Sequence, residues 1–464
     1  MILILGAGLS GLAASYHIGH SRCLVLEKND RPFGHIRSHR RDGFTWDTGP
    51  HVSFTKNEYV RSLFQSSVAC KLQEFEVQVS NYYKGHWIAH PSQTSLHQVP
   101  EPLRSECLRS FLRTRNHPGH SEQRPVNYLE WLELAFGSVF SETFPAAYTR
   151  KYWTREAAEL TTQWIGDRVL YPNIEDVVEG SLRALDHKTH YITKVRYPSQ
   201  GGFEVFAEGL RAGCNIRYGA EVAAIDLDRK MVWLTDGQCL EYTRLINTLP
   251  LPTFINACIN VPQHVKDSAR RLSCTQLLLV NIGVPHTTIR PETWIYVYDE
   301  EKFATRINFT ERLAPGNAPI GWTGIQVEVY FSRHRPLSLP PEQVADRVEK
   351  EIIEMGIIDP TRFPVSIKSH RHICHSPWAN VIFDHDTAPA LEIIWSWLEK
   401  FGLQRENDDV APLTQWDKLH NVSESDGTIF MAGRFGQWKY FWTDDCVLRG
   451  RQIANQLEDC KKYE

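Results

Sequence analysis

The sequence of 464 residues lacks several features that would assign its class at once. It has no long uninterrupted apolar run, and its mean hydropathy is −0.37, which excludes a transmembrane helix. It has little excess charge, because 51 Lys and Arg face 55 Asp and Glu for a net charge of −4. That balance argues against a binder of nucleic acid or anionic membranes. Hydrophobic residues (42%) and charged residues (23%) are present in globular proportions, which excludes disorder, collagen and coiled coil for most of the chain.

The ten cysteines form no CxxC pair and show no even spacing. In a chain of this length they predict free, mostly buried thiols in a reducing compartment. The first residues carry no basic segment before their apolar run, so we expect a first strand there rather than a signal peptide. These features predict a cytoplasmic protein of two or three domains, at roughly 150 residues per domain.

The histidine-rich stretch near residue 370 invites a metal interpretation. His370, His372 and Cys374 would share one face of a strand, because alternate residues point the same way. No acidic residue or second ligand pair completes a set there. We therefore predict no metal site and interpret the stretch as a polar strand face.

The chain opens with a β-α-β pattern of about 30 residues. An apolar run, Ile2–Leu5, leads into a GxGxxG motif formed by Gly6, Gly8 and Gly11, and a second short strand ends at Glu27. Gly6 allows the tight turn, Gly8 lets the backbone approach a pyrophosphate, and Gly11 permits close packing of helix on sheet. A carboxylate about 20 residues later can accept a hydrogen bond from a ribose hydroxyl. The pattern predicts a dinucleotide, either NAD or FAD.

Further motifs follow along the chain in a fixed order. They are Glu27-Lys28 with Gly34; residues 44–51, which end in Gly49-Pro50-His51; Tyr148-Thr149-Arg150-Lys151-Tyr152-Trp153; Arg196-Tyr197-Pro198 before Gly201-Gly202-Phe203; and Gly433-Arg434 through Asp444. Together they resemble the signatures of FAD enzymes of the amine-oxidase and protoporphyrinogen-oxidase-like superfamily, close to UDP-galactopyranose mutase-like flavoproteins. His35 departs from these signatures, because it stands where they carry a second glycine. The resemblance implies FAD as the cofactor.

The resemblance also implies an α/β fold. We expect a Rossmann-like, GR2-type FAD-binding domain that is discontinuous in sequence, with an inserted helical and mixed-sheet substrate region. The expected FAD-binding parts are residues 1–60, 196–255 and 421–464, the helical substrate region is 61–195 and the mixed-sheet region is 256–420. Within the second FAD-binding part, Asp236-Gly237 between two apolar runs predicts a β-hairpin.

The resemblance assigns a set of residues to FAD binding. They are Gly6, Gly8, Leu9, Ser10, Gly11, Glu27, Lys28, Gly34, His35, Gly49, Pro50, His51, Val222, Gly433, Arg434, Asp444, Asp445 and Cys446. The backbone of Val222 would hold the adenine, and Arg434 would neutralise a phosphate or a substrate anion. Asp444 would cap a helix whose positive N-terminus faces the flavin.

Four side chains are candidates for catalysis or substrate contact. They are His51, Arg306, Trp438 and Tyr440. His51 would donate a hydrogen bond near the flavin or simply pack, and the two aromatic residues would face the pocket or lie in the core. Arg306, in a Thr305-Arg306-Ile307 segment like that of the mutases, would hold a substrate phosphate with its planar fork. The alternative for Arg306 is a salt bridge on a strand surface.

Two enzyme classes fit these motifs. The first is an FAD-dependent oxidoreductase that transfers a hydride from a small-molecule substrate to flavin N5, favoured by the matches between residues 153 and 203. The second is a sugar-nucleotide mutase that uses reduced flavin N5 as a nucleophile without net redox change, with which Gly49-Pro50-His51 and Arg306 are compatible. A third hypothesis is a flavin-binding protein without catalytic activity. The expected partner is a small molecule, with nucleotide sugars among the candidates, and no nucleic acid.

Overall fold

The computed structural model describes residues 1–166, 169–187, 189, 192, 194–286, 288, 290–359, 361, 370–405 and 427–459. The strands are β1 Ile2–Leu5, β2 Cys23–Leu26, β3 Ser38–Arg41, β4 Phe44–Asp47, β5 Leu72–Glu76, β6 Val79–Tyr83, β7 His86–Ala89, β8 Lys194–Pro198, β9 Ile216–Arg217, β10 Val222–Asp226, β11 Met231–Leu234, β12 Cys239–Glu241, β13 Arg244–Asn247, β14 Gln276–Val284, β15 Trp294–Val297, β16 Arg306–Phe309, β17 Thr323–Phe331, β18 Arg371–Ser376 and β19 Ile429–Met431. The α-helices are α1 Leu9–Ile18, α2 Glu58–Ser67, α3 Leu103–Arg115, α4 Tyr128–Phe136, α5 Ser138–Ser141, α6 Ala147–Tyr152, α7 Ile174–Leu182, α8 Glu208–Arg211, α9 Leu251–Ala257, α10 Gln263–Arg271, α11 Thr310–Leu313, α12 Pro341–Glu354, α13 Thr387–Glu399 and α14 Thr443–Asp459.

A five-stranded parallel sheet with the order β19-β13-β1-β2-β9 forms the centre of the first layer. Strand β1 is buried along its whole length, as expected for a strand between two helical layers. Helix α14 packs on α1 so closely that a Cβ on Gly450 would lie 2.6 Å from the carbonyl carbon of Ala13. This sheet joins residues from the start, the middle and the end of the chain, and it confirms the predicted α/β fold.

A three-stranded antiparallel sheet, β10-β11-β12, lies beside the parallel sheet. Strands β11 and β12 form the hairpin that the sequence predicts at Asp236-Gly237. Apolar residues of this unit share a core cluster with helices α9, α10 and α13. The expected boundary at residues 420–421 lies outside the described residues.

A seven-stranded mixed sheet with the order β18-β14-β17-β16-β15-β6-β7 forms the second layer. Its long central strands, β14 and β17, pair antiparallel over nine residues, and β6 pairs parallel with β15. Strands β5, β6 and β7 lie in the stretch whose sequence predicts mainly helix. Strand β6 pairs with the adjacent strand β7 on one side and with the distant strand β15 on the other. Its sequence, VSNYY, has no clear apolar alternation, so the local pattern did not indicate this strand.

Lys151 on α6 anchors the helical region to the mixed sheet. Its buried Nζ donates to the carbonyl oxygens of Val297 (3.0 Å), Asp299 (2.7 Å) and Ala304 (2.6 Å). Burial lowers the pKa of this amine to about 7. Because all three carbonyls lie in or beside the connection from β15 to β16, Lys151 holds the segment that leads into Arg306.

Candidate functional site

The glycines of the GxGxxG motif form the turn between β1 and α1, and the open space beside Gly8 is called the cofactor cleft below. Gly6 has a φ of +98°, and a Cβ on Gly11 would lie 2.0 Å from the carbonyl oxygen of Gly6, so both positions require glycine. At Gly8 the nearest atom to a Cβ would be the Cα of Gly34, 4.0 Å away, and Gly34 is itself exposed. The backbone of Gly8 therefore faces a gap at the N-terminus of α1, where a pyrophosphate can approach.

Glu27 lies at the end of β2 with its carboxylate turned towards this turn. Its Oε2 accepts from the backbone N–H of Ala7 (3.0 Å), and its Oε1 accepts from the backbone N–H (3.0 Å) and the side-chain Nδ2 (2.6 Å) of Asn29. An ionised carboxylate offers about four acceptor positions, so one is left for a ribose hydroxyl. The geometry therefore suits the role that the sequence predicts for Glu27.

Val222 and Lys28 flank the same end of the cleft. Val222 begins β10, and two residues earlier the N–H of Ala220 donates to the carbonyl oxygen of Glu27 (2.9 Å). This bond brings the start of β10 beside β2. Lys28 is exposed directly after β2.

Replacing Glu27 by Ala is expected to weaken FAD binding by about 1–3 kcal/mol, because a ribose hydroxyl would lose its acceptor. The measurement is the dissociation constant of FAD from the apoprotein, obtained by quenching of FAD fluorescence. Glu221→Ala is a matched control, since Glu221 is exposed on the segment that precedes β10. An unchanged affinity in Glu27→Ala would remove this carboxylate from the ribose site.

The first turns of α1 and α14 meet at Gly433. A Cβ on Gly433, whose φ is +84°, would lie 2.8 Å from the Oγ of Ser10, and the hydroxyl of Ser10 also bonds the thiol of Cys446. Burial raises the pKa of that thiol to about 11. Leu9 and Ser10 are both buried in the first turn of α1. The N-terminal GxGxxG signature and the C-terminal signature around Gly433 therefore pack against each other.

Helix α14 begins one residue earlier than the predicted cap. The sequence predicts Asp444 as the capping residue, whereas the helix starts at Thr443 and Asp445 makes the capping bond. Oδ2 of Asp445 accepts from the backbone N–H of Trp442 at 2.7 Å. This is the reach of a third helical residue back to the N-cap. Asp444 is half-buried beside it.

Arg434 ties two loops together. Its Nε and Nη2 donate to the carbonyl oxygen of Phe441 (2.8 and 2.6 Å), and its Nη1 donates to the carbonyl oxygen of Ala379 (3.1 Å) and to Oδ1 of Asn380 (3.2 Å). These bonds occupy both edges of the guanidinium, so the structure shows Arg434 organising the C-terminal signature. A phosphate contact would have to compete with these partners.

His51 and His35 border the cleft as neutral imidazoles. Nδ1 of His51 donates to the carbonyl oxygen of Gly49 at 2.9 Å, because a carbonyl can only accept. Burial is the main cause that lowers the pKa of His51 to about 4; the bond to Gly49 opposes the shift, and nearby Arg434, His35 and Arg306 contribute to it. Nε2 of the neutral ring is therefore an acceptor, which differs from the donor role that the sequence suggests. His35 is exposed at the open cleft, and desolvation by the residues around it, together with the charge of Arg434, lowers its pKa to about 4.

The depressed pKa of His51 predicts an acid-sensitive apoprotein. The folded protein resists protonation of this ring and the unfolded chain does not, so stability present above pH 6.5 is lost as the pH falls towards 4. We expect His51→Gln to reduce the slope of unfolding free energy against pH in this window by up to one proton, about 1.4 kcal/mol per pH unit. His264→Gln, on an exposed position of α10, is the control. Equal slopes in wild type and His51→Gln would contradict the prediction.

Trp438 and Tyr440 lie on different sides of the C-terminal signature. Trp438 is buried (1% exposed) against Phe435 and Trp378, and its indole N–H has no acceptor among the described residues. Tyr440 is half-buried, its ring lies 5.4 Å from that of Trp153, and its hydroxyl bonds that of Tyr152. Of the two, Tyr440 contacts the polar aromatic residues described next.

Arg306 forms a bidentate ion pair with Glu328, its direct neighbour across β16 and β17. Nε donates to Oε2 (2.9 Å) and Nη2 donates to Oε1 (2.7 Å), while the hydroxyl of Tyr330 donates to Oε2 (2.8 Å). The Glu328 side chain is 1% exposed and that of Arg306 is 22% exposed. The pair therefore combines the predicted cation with a buried carboxylate that sequence reasoning missed.

Four tyrosines surround this ion pair and are called the tyrosine cluster below. They are Tyr148, Tyr152, Tyr296 and Tyr330. The ring centroids of Tyr148 lie 5.6 Å from Tyr152 and 5.5 Å from Tyr296, and those of Tyr152 and Tyr330 lie 4.6 Å apart. Burial raises the pKa of every member, so their hydroxyls stay protonated at neutral pH.

The ion pair and the tyrosine cluster each border the cofactor cleft at one point. A Cβ on Gly49, in the segment before Pro50 and His51, would lie 3.7 Å from Oε1 of Glu328. Oδ1 of Asn380 accepts from the hydroxyl of Tyr152 (3.3 Å) as well as from Arg434. The predicted residues of the N-terminal, middle and C-terminal signatures therefore converge on one cleft with the tyrosine cluster at one side.

The cleft fits a flavin dinucleotide. Gly8 and Gly34 leave the gap that a pyrophosphate needs, and Glu27 keeps an acceptor position for a ribose. Neutral His51 and His35 and the protonated tyrosine cluster offer hydrogen-bonding groups without adding charge. When bound there, FAD would be held by the backbone around Gly8, by Glu27 and by the Gly433 segment.

The histidine-rich strand β18 has protein partners for its polar side chains. Nε2 of His372 lies 2.9 Å from Sγ of Cys374, and Nδ1 accepts from Nη1 of Arg41 (2.7 Å). His375 bonds Oε1 of Gln276 (2.9 Å).

No helix in the described part of the chain is long and apolar enough for a membrane crossing.

Comparison with known proteins agrees with this geometry. Residues 9–457 match the family described as flavin containing amine oxidoreductase. The fold superimposes on a reduced UDP-galactopyranose mutase with a TM-score of 0.85 at 21% identity, covering 99% of this chain and 95% of that one. It also superimposes on a protein from Exiguobacterium sp. 255-15 assigned as a protoporphyrinogen oxidase, with a TM-score of 0.69 at 16% identity over 98% of both chains.

The similarity to curated sequences is local. An L-amino-acid oxidase of Daboia russelii is 36% identical over 85 residues, which are 17% of this chain and 16% of that protein. The match therefore spans about a sixth of that relative's length. At identities below a quarter, the solved structures establish the shared fold.

Proposed function

The chain belongs to the flavin-containing amine oxidoreductase family and binds FAD, and from this premise we propose that it oxidises a small-molecule substrate by hydride transfer. Bound FAD supplies the two-electron acceptor for such a transfer. The protein's part is to bind the substrate, to orient the C–H bond and to exclude water. We infer that the tyrosine cluster and the Arg306–Glu328 pair do this.

The observation that carries the proposal is the proximity of Gly49 to Glu328, since a Cβ placed on Gly49 would lie 3.7 Å from Oε1 of Glu328. Gly49 belongs to the flavin signature, and Glu328 belongs to the ion pair among the tyrosines, so one set of residues faces both cofactor and substrate. The ion pair engages only the Nε–Nη2 edge of Arg306. Arg306 also hydrogen-bonds Tyr296. Because Arg306 is more exposed than Glu328, its guanidinium is the part of the pair that can meet a polar substrate group.

The protonation states favour a binding role for the tyrosine cluster. Burial holds the pKa of Tyr148, Tyr152 and Tyr330 well above the ordinary value, so these hydroxyls can donate hydrogen bonds but cannot remove protons at neutral pH. His51, with its pKa near 4, offers a neutral acceptor at Nε2. Removal of a hydride from a neutral C–H bond does not require a strong base, which agrees with a site built from protonated tyrosines and a weakly basic imidazole.

The experiment is anaerobic mixing of the FAD-loaded protein with separate panels of amines, amino acids and nucleotide sugars. Bleaching of the visible absorbance of oxidised flavin is expected with one class and identifies the reductive half-reaction. Arg306→Lys should weaken binding of an anionic substrate, because lysine lacks the planar fork, without changing FAD content. If no class bleaches the flavin, hydride transfer from these substrates is excluded.

A second candidate is a sugar-nucleotide mutase, favoured by the position of Arg306. A guanidinium that lies among tyrosine hydroxyls and bonds one of them, Tyr296, suits a diphosphate attached to a hydroxylated sugar. The fold of the reduced UDP-galactopyranose mutase supports the same candidate. The test is to reduce the flavin with dithionite and to search for a ring-isomer product from each nucleotide sugar. An isomer formed by reduced protein, and not by oxidised protein, would select the mutase over the oxidoreductase.

A further inference from the structure

The carboxylate of Asp47 joins two segments that lie about 150 residues apart. Its Oδ1 accepts from Oγ of Ser38 (2.6 Å) and from the backbone N–H of Phe203 (3.1 Å). Its Oδ2 accepts from the hydroxyl of Tyr197 (2.6 Å). Asp47 is 5% exposed and Tyr197 is 1% exposed. Two motifs of the sequence, the stretch that ends in Gly49-Pro50-His51 and the stretch from 196 to 203, therefore meet at one buried side chain.

The backbone around this junction is shaped to admit the carboxylate. Gly202 has a φ of +82°, and a Cβ on it would lie 2.2 Å from Oγ of Ser38 and 2.9 Å from Oδ1 of Asp47. No larger residue fits there while the bonds between these groups persist. The glycine preceding Phe203 thus serves the contact with Asp47.

The junction lies directly before the cofactor turn. The carbonyl oxygen of Asp47 accepts from the backbone N–H of Gly49 (2.8 Å) and from Nε2 of Gln326 (2.9 Å). The ring of Phe203 lies 5.3 Å from that of His51. Asp47 therefore contacts the turn through its backbone, and Phe203 contacts His51 from the other segment.

Every described partner of the Asp47 carboxylate is a donor. Burial raises the pKa of Asp47 to about 6, the bonds from Ser38, Tyr197 and Phe203 oppose that shift, and nearby Glu204 adds to it. Glu204 is itself bonded by Arg31 and by the N–H of Ser38. The Asp47 carboxylate thus accepts hydrogen bonds from β3, from β8 and from the segment after Gly202.

We propose that Asp47 and Tyr197 are positioning residues for FAD, holding the Gly49–His51 turn and Phe203 in the arrangement that the cofactor requires. Neither side chain needs to touch the cofactor. The inference uses the identity of the cofactor and is independent of the reaction proposed above. The test measures only FAD binding, so its result does not depend on whether the protein catalyses hydride transfer or a mutase reaction.

The test compares Tyr197→Phe with Tyr242→Phe. Both tyrosines are buried, but the hydroxyl of Tyr242 has no hydrogen-bond partner among the described residues, so its removal is the matched control. The dissociation constant of FAD from each apoprotein is measured by fluorescence quenching under conditions where circular dichroism shows the protein folded. We expect Tyr197→Phe to weaken binding about tenfold or more and to alter the visible absorbance band of the bound flavin, and Tyr242→Phe to do neither.

A merely structural role would lower the melting temperature of Tyr197→Phe and leave the dissociation constant of the folded protein within about twofold of wild type. That outcome would overturn the proposal. If Tyr197→Phe does not fold, Ser38→Ala removes a single donor from the same carboxylate and takes its place. Ser38→Ala should weaken FAD binding severalfold, and wild-type affinity in that folded variant would equally overturn the proposal.

Discussion

Gly8→Val is expected to give a folded protein that does not retain FAD. The φ of Gly8 is −73°, which any residue can adopt, and the nearest atom to an added Cβ is 4.0 Å away. The protein itself therefore has room for a Cβ at this position, whereas a side chain there would occupy the path by which a pyrophosphate approaches the backbone. We expect FAD affinity to fall by about a thousandfold or more, which is about 4 kcal/mol. Stability of the apoprotein should change by only about 1 kcal/mol, the scale of an altered N-cap.

Gly11→Val provides the contrast for that experiment. A Cβ at this position would lie 2.0 Å from the carbonyl oxygen of Gly6, so the variant should lose FAD together with much of its stability. Thermal unfolding of both apoproteins and the flavin released on denaturation are the two measurements. A yellow Gly8→Val protein with wild-type FAD content would contradict the position of the pyrophosphate.

Arg306→Ala is expected to destabilise the protein by about 3–5 kcal/mol, because it leaves the carboxylate of Glu328 buried without its counter-ion. The measurement is urea unfolding of the FAD-loaded protein. Arg270→Ala is the control for an exposed ion pair. The side chains of Arg270 and its partner Asp267 are 67% and 55% exposed, so its loss should cost about 1 kcal/mol or less.

The double variant Arg306→Met, Glu328→Gln separates stability from substrate binding. With both charges removed, most of the lost stability should return, since a buried ion pair contributes little beyond its replacement by neutral side chains. Binding of a diphosphate-containing substrate should not return, because methionine offers no donor. Recovery of both stability and KM in the double variant would remove Arg306 from the substrate site and weaken the mutase candidate.

The parts of the site that could be predicted from the sequence are those whose geometry is local. The turn from Gly6 to Gly11 depends on residues within one strand, one turn and one helix, and Glu27 follows at a distance set by that unit. The hairpin at Asp236-Gly237 is likewise set by its own turn and was confirmed. FAD itself required the additional resemblance of distant segments, because the local unit serves NAD as well.

Other parts depend on pairings that no local pattern reports. Glu328 became a partner of Arg306 only through the register of β16 and β17, where opposite charges face each other directly. Knowledge of the register of β16 and β17 would have identified Glu328 as the partner of Arg306. The same limit applies to Asp47, whose donors come from β3, from β8 and from the segment after Gly202.

The strand order of the parallel sheet has a consequence for biosynthesis. Strand β1 leaves the ribosome about 240 residues before its neighbour β13, and the edge strand β19 and helix α14 follow later still. The nascent chain therefore exposes the apolar edge of β1–β2 until the middle of the protein has emerged, a long interval for chaperone contact. Because Gly433 and the first turn of α14 follow the other segments of the cleft, we expect FAD to be enclosed only after the α14 segment has emerged.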